Sequence, residues 1–338
     1  MKIKETITFD DVLLVPQYSE VISRNSIDIG SALSDEIKLT MPLISAPMDT
    51  VTDNVVATIL ASNGAFGVIH RYNTIEEQVR EVDLVVGRGY KVGAAIGVTG
   101  DYIERAVGLV KAGCDVLCID VAHGHHVLTR HALKTLRNTI GYDVHIMAGN
   151  VATLQGFNDL ADWGANSIRV GIGGGSICST RIQTGHGVPT LQSVIDCSKS
   201  DRDARLIADG GIKTSGDIVK ALAAGADFVM AGSLLAGCAE SPGKTTYLNG
   251  VPYKSYRGMA SVEAQIDWRG HTASVEGVSH MIEPRGHIKD ILKDLSRGIK
   301  SGFSYSGCIN LKDLHSRSQF IKQTSAGQVE SATHIKLR

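Results

Sequence analysis

Residues 170–181 read VGIGGGSICSTR and follow the apolar run Ser167–Val170. Four of the five residues 171–175 are glycines, which tolerate positive φ freely and let a ligand approach the backbone closely. Cys178 follows, with Ser176 and Thr180 as polar neighbours. A buried strand that opens into a glycine loop carrying a thiol is what covalent catalysis at the mouth of an α/β barrel requires. The alternative is a glycine-rich turn around a small packed cysteine, since free cysteines are usually buried.

Eight short apolar runs are predicted to form buried parallel strands. The runs are Leu43–Ala46, Ala65–His70, Val92–Gly97, Val116–Asp120, Val144–Ala148, Ser167–Gly171, Arg205–Asp209 and Phe228–Ala231. Helical patterns separate most of them, and the clearest are Thr74–Val86, Tyr102–Ala112, Gly156–Trp163 and Asp217–Ala224. Eight β/α units predict a (β/α)8 TIM barrel rather than an open doubly wound sheet.

The barrel is predicted to be a single catalytic domain over residues 1–338, since no compositional linker divides the chain. Residues from about 245 to 338 leave the β/α rhythm, and we expect them to form a flap and a C-terminal extension on the barrel top. The amphipathic segment Ile288–Ile299 within this part is a candidate for contacts between subunits.

Composition excludes several classes of function. The formal net charge is -1, so no basic field indicates nucleic acid. No apolar run reaches the roughly 18 residues of a membrane span, and the N-terminus lacks the apolar core of a signal peptide. The six cysteines contain no C-x-x-C pair of the metal-binding type. We therefore expect reduced thiols, a cytoplasmic location and neither nucleic acid nor membrane as a partner.

Small, polar or ionisable residues follow most of the predicted strands, where the chemistry of such barrels takes place. Gly211 and the Gly232-Ser233 pair follow the seventh and eighth strands, the usual place of a phosphate cradle. A helix over Leu234–Cys238 would add its N-terminal N–H groups. The pattern predicts a phosphate ligand, with Asp209 near a sugar hydroxyl. The alternative is that Asp209 forms an Asx turn.

Several stretches, in order along nearly the whole chain, resemble the family of inosine-monophosphate dehydrogenases and guanosine-monophosphate reductases. They are TFDDVLLVP at 8–16, SAPMDTVT at 45–52, DVAHG at 120–124, AGNVAT at 148–153, GIGGGSICSTR at 171–181, ADGGI at 208–212, GSLLAG at 232–237 and YRGM at 256–259. The resemblance implies a TIM barrel that binds a purine nucleoside monophosphate. Cys178 would be the nucleophile on purine C2, and Thr180 would assist proton transfer.

The resemblance also implies the rest of the site. The phosphate would be held by Ser176, Gly211, Gly232 and Ser233, and the ribose hydroxyls by Asp209. The remaining ribose and the base would be surrounded by Ser45, Met48, Tyr256, Gly258, Met259 and Glu276. The nicotinamide cofactor would be faced by Asp120, Asn150 and Gly171. In a homotetramer, a monovalent cation such as K+ would be held by the carbonyls of Gly173, Gly175 and Cys178, with Glu330 and Ser331 supplied by a neighbouring subunit.

Departures from the family pattern separate its members. His70 leads to Val92 without the paired regulatory module of most dehydrogenases, as in reductases and some dehydrogenases. Residues 260–275 contain no Arg-Tyr pair, which activates water in dehydrogenases; Trp268-Arg269 is the nearest substitute. Reductases use a glutamate just after Gly-Met, and Glu263 lies one place beyond that register. The stretches 8–16 and 325–331 instead resemble dehydrogenases.

The flap carries most weight, because without a water-activating group the hydrolytic half-reaction has no base. The sequence therefore predicts a GMP reductase that uses NADPH to convert GMP to IMP through a covalent Cys178–C2 adduct, with Glu263 as a catalytic residue. The alternative is an IMP dehydrogenase without the regulatory module, which converts IMP, NAD and water to XMP with Arg269 as the base. A third reading is an inactive paralogue that binds purine nucleotides as a sensor.

Overall fold

The computed structural model of the protein describes residues 3–331. Three short strands precede the barrel: β1 (Val12–Leu14), β2 (Ser31–Ala32) and β3 (Lys38–Leu39). β2 and β3 pair antiparallel. The apolar side chains of Leu33, Ile37 and Leu39 pack with Phe66, Val116, Phe228 and other side chains inside the barrel. The hairpin therefore fills the N-terminal end of the barrel and leaves the opposite end for the site.

Eight parallel strands form the barrel: β4 (Leu43–Ser45), β5 (Val68–Ile69), β6 (Gly93–Ile96), β7 (Val116–Asp120), β8 (His145–Val151), β9 (Ser167–Val170), β10 (Arg205–Asp209) and β11 (Phe228–Ala231). Each of β5 to β10 pairs with the next strand along the chain, and β11 pairs with β4. A parallel bridge between Ile44 and Phe66 closes the ring, with a 2.9 Å hydrogen bond from Ser45 N to Phe66 O. The predicted TIM barrel is confirmed, since each predicted run overlaps one strand.

Helices cover the outside of the ring: α1 (Asn54–Ser62), α2 (Ile75–Val86), α3 (Tyr102–Lys111), α4 (Val127–Ile140), α5 (Leu154–Asp162), α7 (Thr190–Cys197) and α8 (Ser215–Ala223). The short helix α6 (Thr180–Thr184) follows Cys178 in the loop after β9. Thr74 and Thr214 begin their helices with capping boxes, in which a carboxylate three residues on accepts a hydrogen bond from the backbone N–H of the cap. These caps fix the residue at which each helix begins, and therefore the length of the loop between the strand end and the helix.

The part after residue 245 differs from the prediction. A three-stranded sheet of β12 (Thr245–Leu248), β13 (Val251–Arg257) and β14 (Ser279–Ile282) does carry the flap helix α9 (Val262–Arg269). However, α10 (Ile288–Tyr305) contacts both α8 and α1 and completes the outer ring of helices. Its apolar face is buried there, including Leu292, Ile299 and Phe303. The amphipathic pattern that suggested contacts between subunits thus serves the barrel itself.

The last elements are α11 (Leu311–Arg317), β15 (Phe320–Lys322) and α12 (Ser325–Glu330). β15 pairs antiparallel with β1, with Val12 opposite Lys322 and Leu14 opposite Phe320. Among the residues that the structure describes, no helix combines the length and apolar character needed to cross a bilayer.

Candidate active site

A cavity of about 420 Å³ opens at the C-terminal ends of the barrel strands. Its walls come from the loops after the strands and from two segments beside the flap helix, 256–260 and 276–277. Most of the residues predicted from the sequence line it. These are Met48, Asp120, Asn150, Gly171, Gly173, Gly175, Ser176, Cys178, Thr180, Asp209, Gly211, Gly232, Ser233, Tyr256, Gly258, Met259 and Glu276.

Cys178 lies at the edge of the cavity, in the loop between β9 and α6. Its Sγ donates to Thr180 Oγ1 at 3.2 Å, and the Thr180 hydroxyl donates to Glu276 Oε2 at 2.8 Å. Backbone hydrogen bonds hold the two segments together, from Ser179 N to Glu276 O at 2.9 Å and from Val278 N to Ile177 O at 3.0 Å. The sulfur, the hydroxyl and the carboxylate form a path along which a proton can move.

The other five cysteines are buried, whereas Cys178 is partly exposed, and all six thiols are free. Burial raises the pKa of Cys114, Cys118 and Cys197 to about 12 and that of Cys238 to about 11. A thiol is nucleophilic only as the thiolate. The accessible thiol of this protein is therefore the one that faces the cavity.

Arg169 joins two carboxylates on the cavity wall. It projects from β9, is only 6% exposed, and donates to Asp120 Oδ1 at 2.6 Å and to Asp209 Oδ2 at 2.9 Å. Asn150 Nδ2 donates to the same Asp209 oxygen and to Gly171 O, both at 2.8 Å. A Cβ at Gly171 would overlap the carbonyl oxygen of Asp209, so this approach requires glycine.

Sequence reasoning missed Arg169, although the sequence around this arginine contains a signal. An arginine in the apolar run Ser-Ile-Arg-Val needs anionic partners once the strand is buried. Asp120 and Asp209, at the ends of β7 and β10, are those partners. The arginine sets the distance between the residue predicted for the cofactor and the residue predicted for the ribose.

The predicted phosphate cradle lies between the loop after β11 and β13. Ser176 Oγ is 3.4 Å from the Tyr256 hydroxyl, and a Cβ at Gly232 would lie 3.2 Å from that hydroxyl. The segment after Gly232 is held by turn hydrogen bonds, with Ala236 N donating to Gly232 O at 2.9 Å and Cys238 N donating to Leu235 O at 3.3 Å. The helix expected over Leu234–Cys238 is therefore not present, and a series of turns stands in its place.

Lys254 supports the far end of this turn. The side chain extends from β13, is 7% exposed, and donates from Nζ to three carbonyl oxygens: Cys238 at 2.8 Å, Ala239 at 3.1 Å and Ser241 at 2.5 Å. Arg285 Nη1 donates to Ser233 O at 2.8 Å. Neither cation was predicted from the sequence. Both side chains hold backbone carbonyls in place rather than face the substrate. Such contacts are not part of any short sequence motif, so the sequence gives no signal for them.

Three residues predicted to be catalytic or to bind the substrate are not brought to the cavity. Ser45 is fully buried and accepts a 2.8 Å hydrogen bond from the Thr52 hydroxyl, so it supports the strand end rather than the ligand. Glu263 and Arg269 are exposed on α9, because this helix turns Ala264 and Gln265 inward. Glu276 occupies the position beside Thr180 where a catalytic glutamate was expected from Glu263. The positions of Glu263 and Arg269 do not support their catalytic assignment.

The predicted cation ligands fall into two groups. Gly173, Gly175 and Cys178 share the loop after β9 and line the cavity. Glu330 and Ser331 lie at the end of α12, which contacts the short 3-10 helix Phe9–Asp11. Within the described residues of one subunit, no hydrogen bond joins the two groups. A shared cation site stays a prediction that needs a second subunit.

A thiol with a hydrogen-bonded path to a carboxylate, beside a cradle of glycine backbone, is an arrangement typical of barrel enzymes that use covalent catalysis. Comparison with known families makes the assignment narrower. The model of the IMP dehydrogenase / GMP reductase domain matches residues 6–334. The chain belongs to this family.

Similar proteins carry both names. In an alignment of 474 positions, the chain is 34% identical to inosine-5'-monophosphate dehydrogenase of Nitrosopumilus maritimus (strain SCM1). The alignment covers 99% of this chain and 99% of the relative. In an alignment of 476 positions, the chain is 32% identical to a GMP reductase of Leishmania major, covering 98% of this chain and 97% of the relative. It superposes on a crystal structure of GMP reductase from Trypanosoma brucei in complex with guanosine 5'-monophosphate with a TM-score of 0.94, at 29% identity over 99% of each chain.

Proposed function

We propose that the protein is a purine nucleotide oxidoreductase of the GMP reductase type, which converts GMP and NADPH to IMP, ammonia and NADP. One observation carries the proposal. Glu263 and Arg269 of the flap helix are exposed outside the cavity, while the Thr180–Glu276 pair lies beside the thiol. The site has a route for a proton to a leaving amine, and residues 260–275 place no basic side chain on the cavity wall to activate water.

The cavity supports a nucleoside monophosphate in one orientation. Its phosphate would meet the Ser176 and Tyr256 hydroxyls and the backbone at Gly211, Gly232 and Ser233. The ribose hydroxyls would donate to Asp209, whose carboxylate is held by Arg169 and Asn150. The purine would then lie towards Cys178, between the Met48 and Met259 side of the wall and the glycine loop.

The thiol proton balances the first half-reaction. The sulfur of Cys178 adds to purine C2, its proton passes through the Thr180 hydroxyl to Glu276, and the same path returns a proton to the departing amine. The C2–N bond breaks, ammonia leaves, and a thioimidate on Cys178 remains. Glu276 need only exchange one proton with Thr180, which the 2.8 Å hydrogen bond allows.

The residues predicted for a nicotinamide cofactor fit one chemically. Asn150 uses its NH2 group on Gly171 O and Asp209, while its Oδ1 is buried and has no hydrogen-bond partner in the described part of the chain. An unpaired buried acceptor suits the NH2 of a nicotinamide carboxamide. Asp120 borders the same side. When bound, NADPH would supply the hydride that C2 needs; NAD is the cofactor in the alternative.

The alternative function is IMP oxidation with NAD, favoured by the dehydrogenase names of relatives such as that of Nitrosopumilus maritimus. Purified protein incubated with GMP and NADPH, and separately with IMP and NAD, distinguishes the two. We expect loss of NADPH absorbance and formation of IMP. NADH formation from IMP without NADPH loss on GMP would overturn the proposal. Inactivity with both pairs, in wild type and in Cys178→Ala alike, would favour the inactive nucleotide-binding paralogue.

We also propose a cytoplasmic homotetramer that binds a monovalent cation such as K+. The free state of all six thiols supports a reducing compartment. The glycine loop supplies several carbonyl groups on one side of a cation, and Glu330 and Ser331 would reach it only from another subunit. Light scattering at micromolar protein should give a mass four times that of the chain, and replacing K+ by Li+ should lower activity. A monomeric mass would reject the shared site.

A further inference from the structure

The flap helix α9 is anchored to the barrel by an ion-pair network near its C-terminal end. Arg257 of β13 donates to Asp49 Oδ2, from Nε at 2.9 Å and from Nη2 at 2.6 Å. The same guanidinium donates from Nη1 to Asp267 Oδ2 of α9 at 2.6 Å. Asp49 belongs to the loop after β4. The network therefore joins the flap helix to the barrel through one arginine.

The side chain of Gln265 cross-links the two ends of the flap and makes it rigid. Its side chain is 1% exposed and donates from Nε2 to Ala260 O and to Ser274 O, both at 3.0 Å. Its Oε1 accepts from Ala273 N at 2.8 Å. One side chain thus ties the start of the flap to its end, so α9 moves as a unit or not at all.

An aromatic stack forms the second attachment of α9 to the barrel. The Trp268 ring lies parallel to that of Tyr72, with centroids 5.7 Å apart and an interplanar angle of 14°. Tyr72 follows β5 and lines the cavity. Arg71 places its guanidinium carbon 5.6 Å from the Tyr72 centroid and donates to Asp120 O at 3.3 Å. The stack therefore joins α9 to the cavity wall on the side of Asp120, where the cofactor is proposed to bind.

The thioimidate on Cys178 has two possible fates. Hydride addition at C2 with cleavage of the S–C2 bond gives IMP and returns the thiolate. Addition of a water oxygen at C2 with cleavage of the same bond gives XMP, and the water protons go to the product and the sulfur; no redox change occurs. Closing an active site against water suppresses such a hydrolytic side reaction. The second fate would turn a reductase into a wasteful deaminase.

We propose that the Tyr72–Trp268 stack determines this partition: it ties α9 to the cavity wall at Tyr72 and keeps bulk water away from the thioimidate, so that the intermediate persists until hydride arrives. This inference rests on the proposed function. Trp268 and Tyr72 are positioning residues that set the product rather than perform the chemistry. A short flap without a water-activating pair prevents base-assisted hydrolysis, and the stack prevents entry of the water itself.

The test measures products of Trp268→Ala with GMP, once with NADPH and once without any cofactor. With NADPH, the ratio of XMP to IMP should rise at least about tenfold over wild type, which corresponds to about 1.4 kcal/mol in relative barrier heights. Without cofactor, wild type should release no more than one ammonia per site, whereas the variant should continue to release ammonia and XMP.

Two further variants keep the result interpretable. Tyr72→Leu breaks the stack from the barrel side and should give the same products, and the double variant should be no worse than either single one, because both remove one contact. Ile266 of α9 is 49% exposed, so the control variant Ile266→Ala should behave as wild type. XMP at the wild-type level in both variants and both arms overturns the inference while leaving GMP reduction intact. Wild type that makes XMP from IMP and NAD instead overturns the proposed function as well.

Discussion

The hydroxyl of Thr180 donates to the carboxylate of Glu276 across 96 residues of sequence, at 2.8 Å. The contact exists because the backbone of residues 276–278 runs against that of 177–179, with Cys178 and Gly277 forming an antiparallel bridge. The end of the flap is thus part of the nucleophile's own support. Any motion that withdraws residues 276–278 also removes the proton path from the thiol.

Replacing Glu276 by Gln should abolish this path while keeping the shape of the site. We expect kcat to fall by about 10²–10⁴, the usual contribution of general acid–base catalysis, with little change in nucleotide affinity. Ser274→Ala is the matched control, since Ser274 Oγ donates to the other Glu276 oxygen at 3.1 Å from an exposed position. Equal losses in the two variants would show that Glu276 acts only as a structural residue.

Cys178 should be the first thiol labelled by iodoacetamide between pH 7 and pH 9. Burial keeps the pKa of Cys114, Cys118 and Cys197 near 12, so these groups stay protonated and unreactive over this range. Peptide mass mapping after one equivalent of reagent checks the order. GMP or IMP should protect the site. Equally fast labelling of Cys238 or Cys308, or labelling of Cys178 that neither nucleotide slows, would count against covalent catalysis.

Arg169→Met should destabilise the barrel, because it leaves Asp120 and Asp209 as partly buried carboxylates without their shared cation. Breaking a buried ion pair by removing one partner costs about 3–5 kcal/mol, which urea unfolding can measure. Affinities for nucleotide and cofactor should fall together, since the arginine contacts both carboxylates. Arg202→Met, which loses only surface pairs with Asp162 and Asp201, should change stability little.

Stability should depend on pH through His145. Burial lowers the pKa of this imidazole to about 4, and its Nε2 is 2.8 Å from Ser167 Oγ. The unfolded chain, with a histidine pKa of about 6.5, binds the proton first as the pH falls, so stability is complete above that value and is lost towards pH 4. Between pH 7 and pH 5 the free energy of unfolding should drop by about 2 kcal/mol more in wild type than in His145→Gln. Parallel curves for both proteins would contradict this.

Lys254→Met should weaken binding of the phosphate selectively. Without the ammonium, the carbonyls of Cys238, Ala239 and Ser241 lose their shared donor, and the turns after Gly232 loosen. Calorimetry should show a loss of about tenfold, or about 1.4 kcal/mol, for GMP and much less for guanosine. Lys244→Met, at an exposed position near by, is the control. A loss of the same size for both ligands would indicate a general structural role.

Local patterns were sufficient for the barrel, because each strand is a short run of mostly buried residues and most of the αβ loops contain a glycine that ends the preceding helix. They were sufficient for the thiol loop too, where the glycines and the cysteine are adjacent in sequence. α10 was misplaced for a different reason. Its amphipathic face is as suited to a barrel as to a second subunit, and only the positions of α8 and α1 decide between them.

The flap shows where sequence reasoning is insufficient. Glu263 and Glu276 are both glutamates after the Gly-Met motif, and distance along the chain favoured Glu263. The helix cap at Ser261 and the buried Gln265 set the rotation of α9, so the side chain of Glu263 points away from the cavity. Only the pairing of residues 276–278 with the Cys178 loop brings the other carboxylate to Thr180. These contacts span long sequence separations and leave no periodic signal.

The pairing of β1 with β15 links two segments that emerge from the ribosome far apart in time. At about 5–20 residues per second, Val12 leaves the ribosome roughly 15–60 seconds before Lys322, its partner across the sheet. Throughout that interval β1 is an unpaired edge, which is prone to adhere to other nascent chains. The exposure of β1 therefore ends only when β15 has been synthesised, and slower translation of the final residues would prolong it.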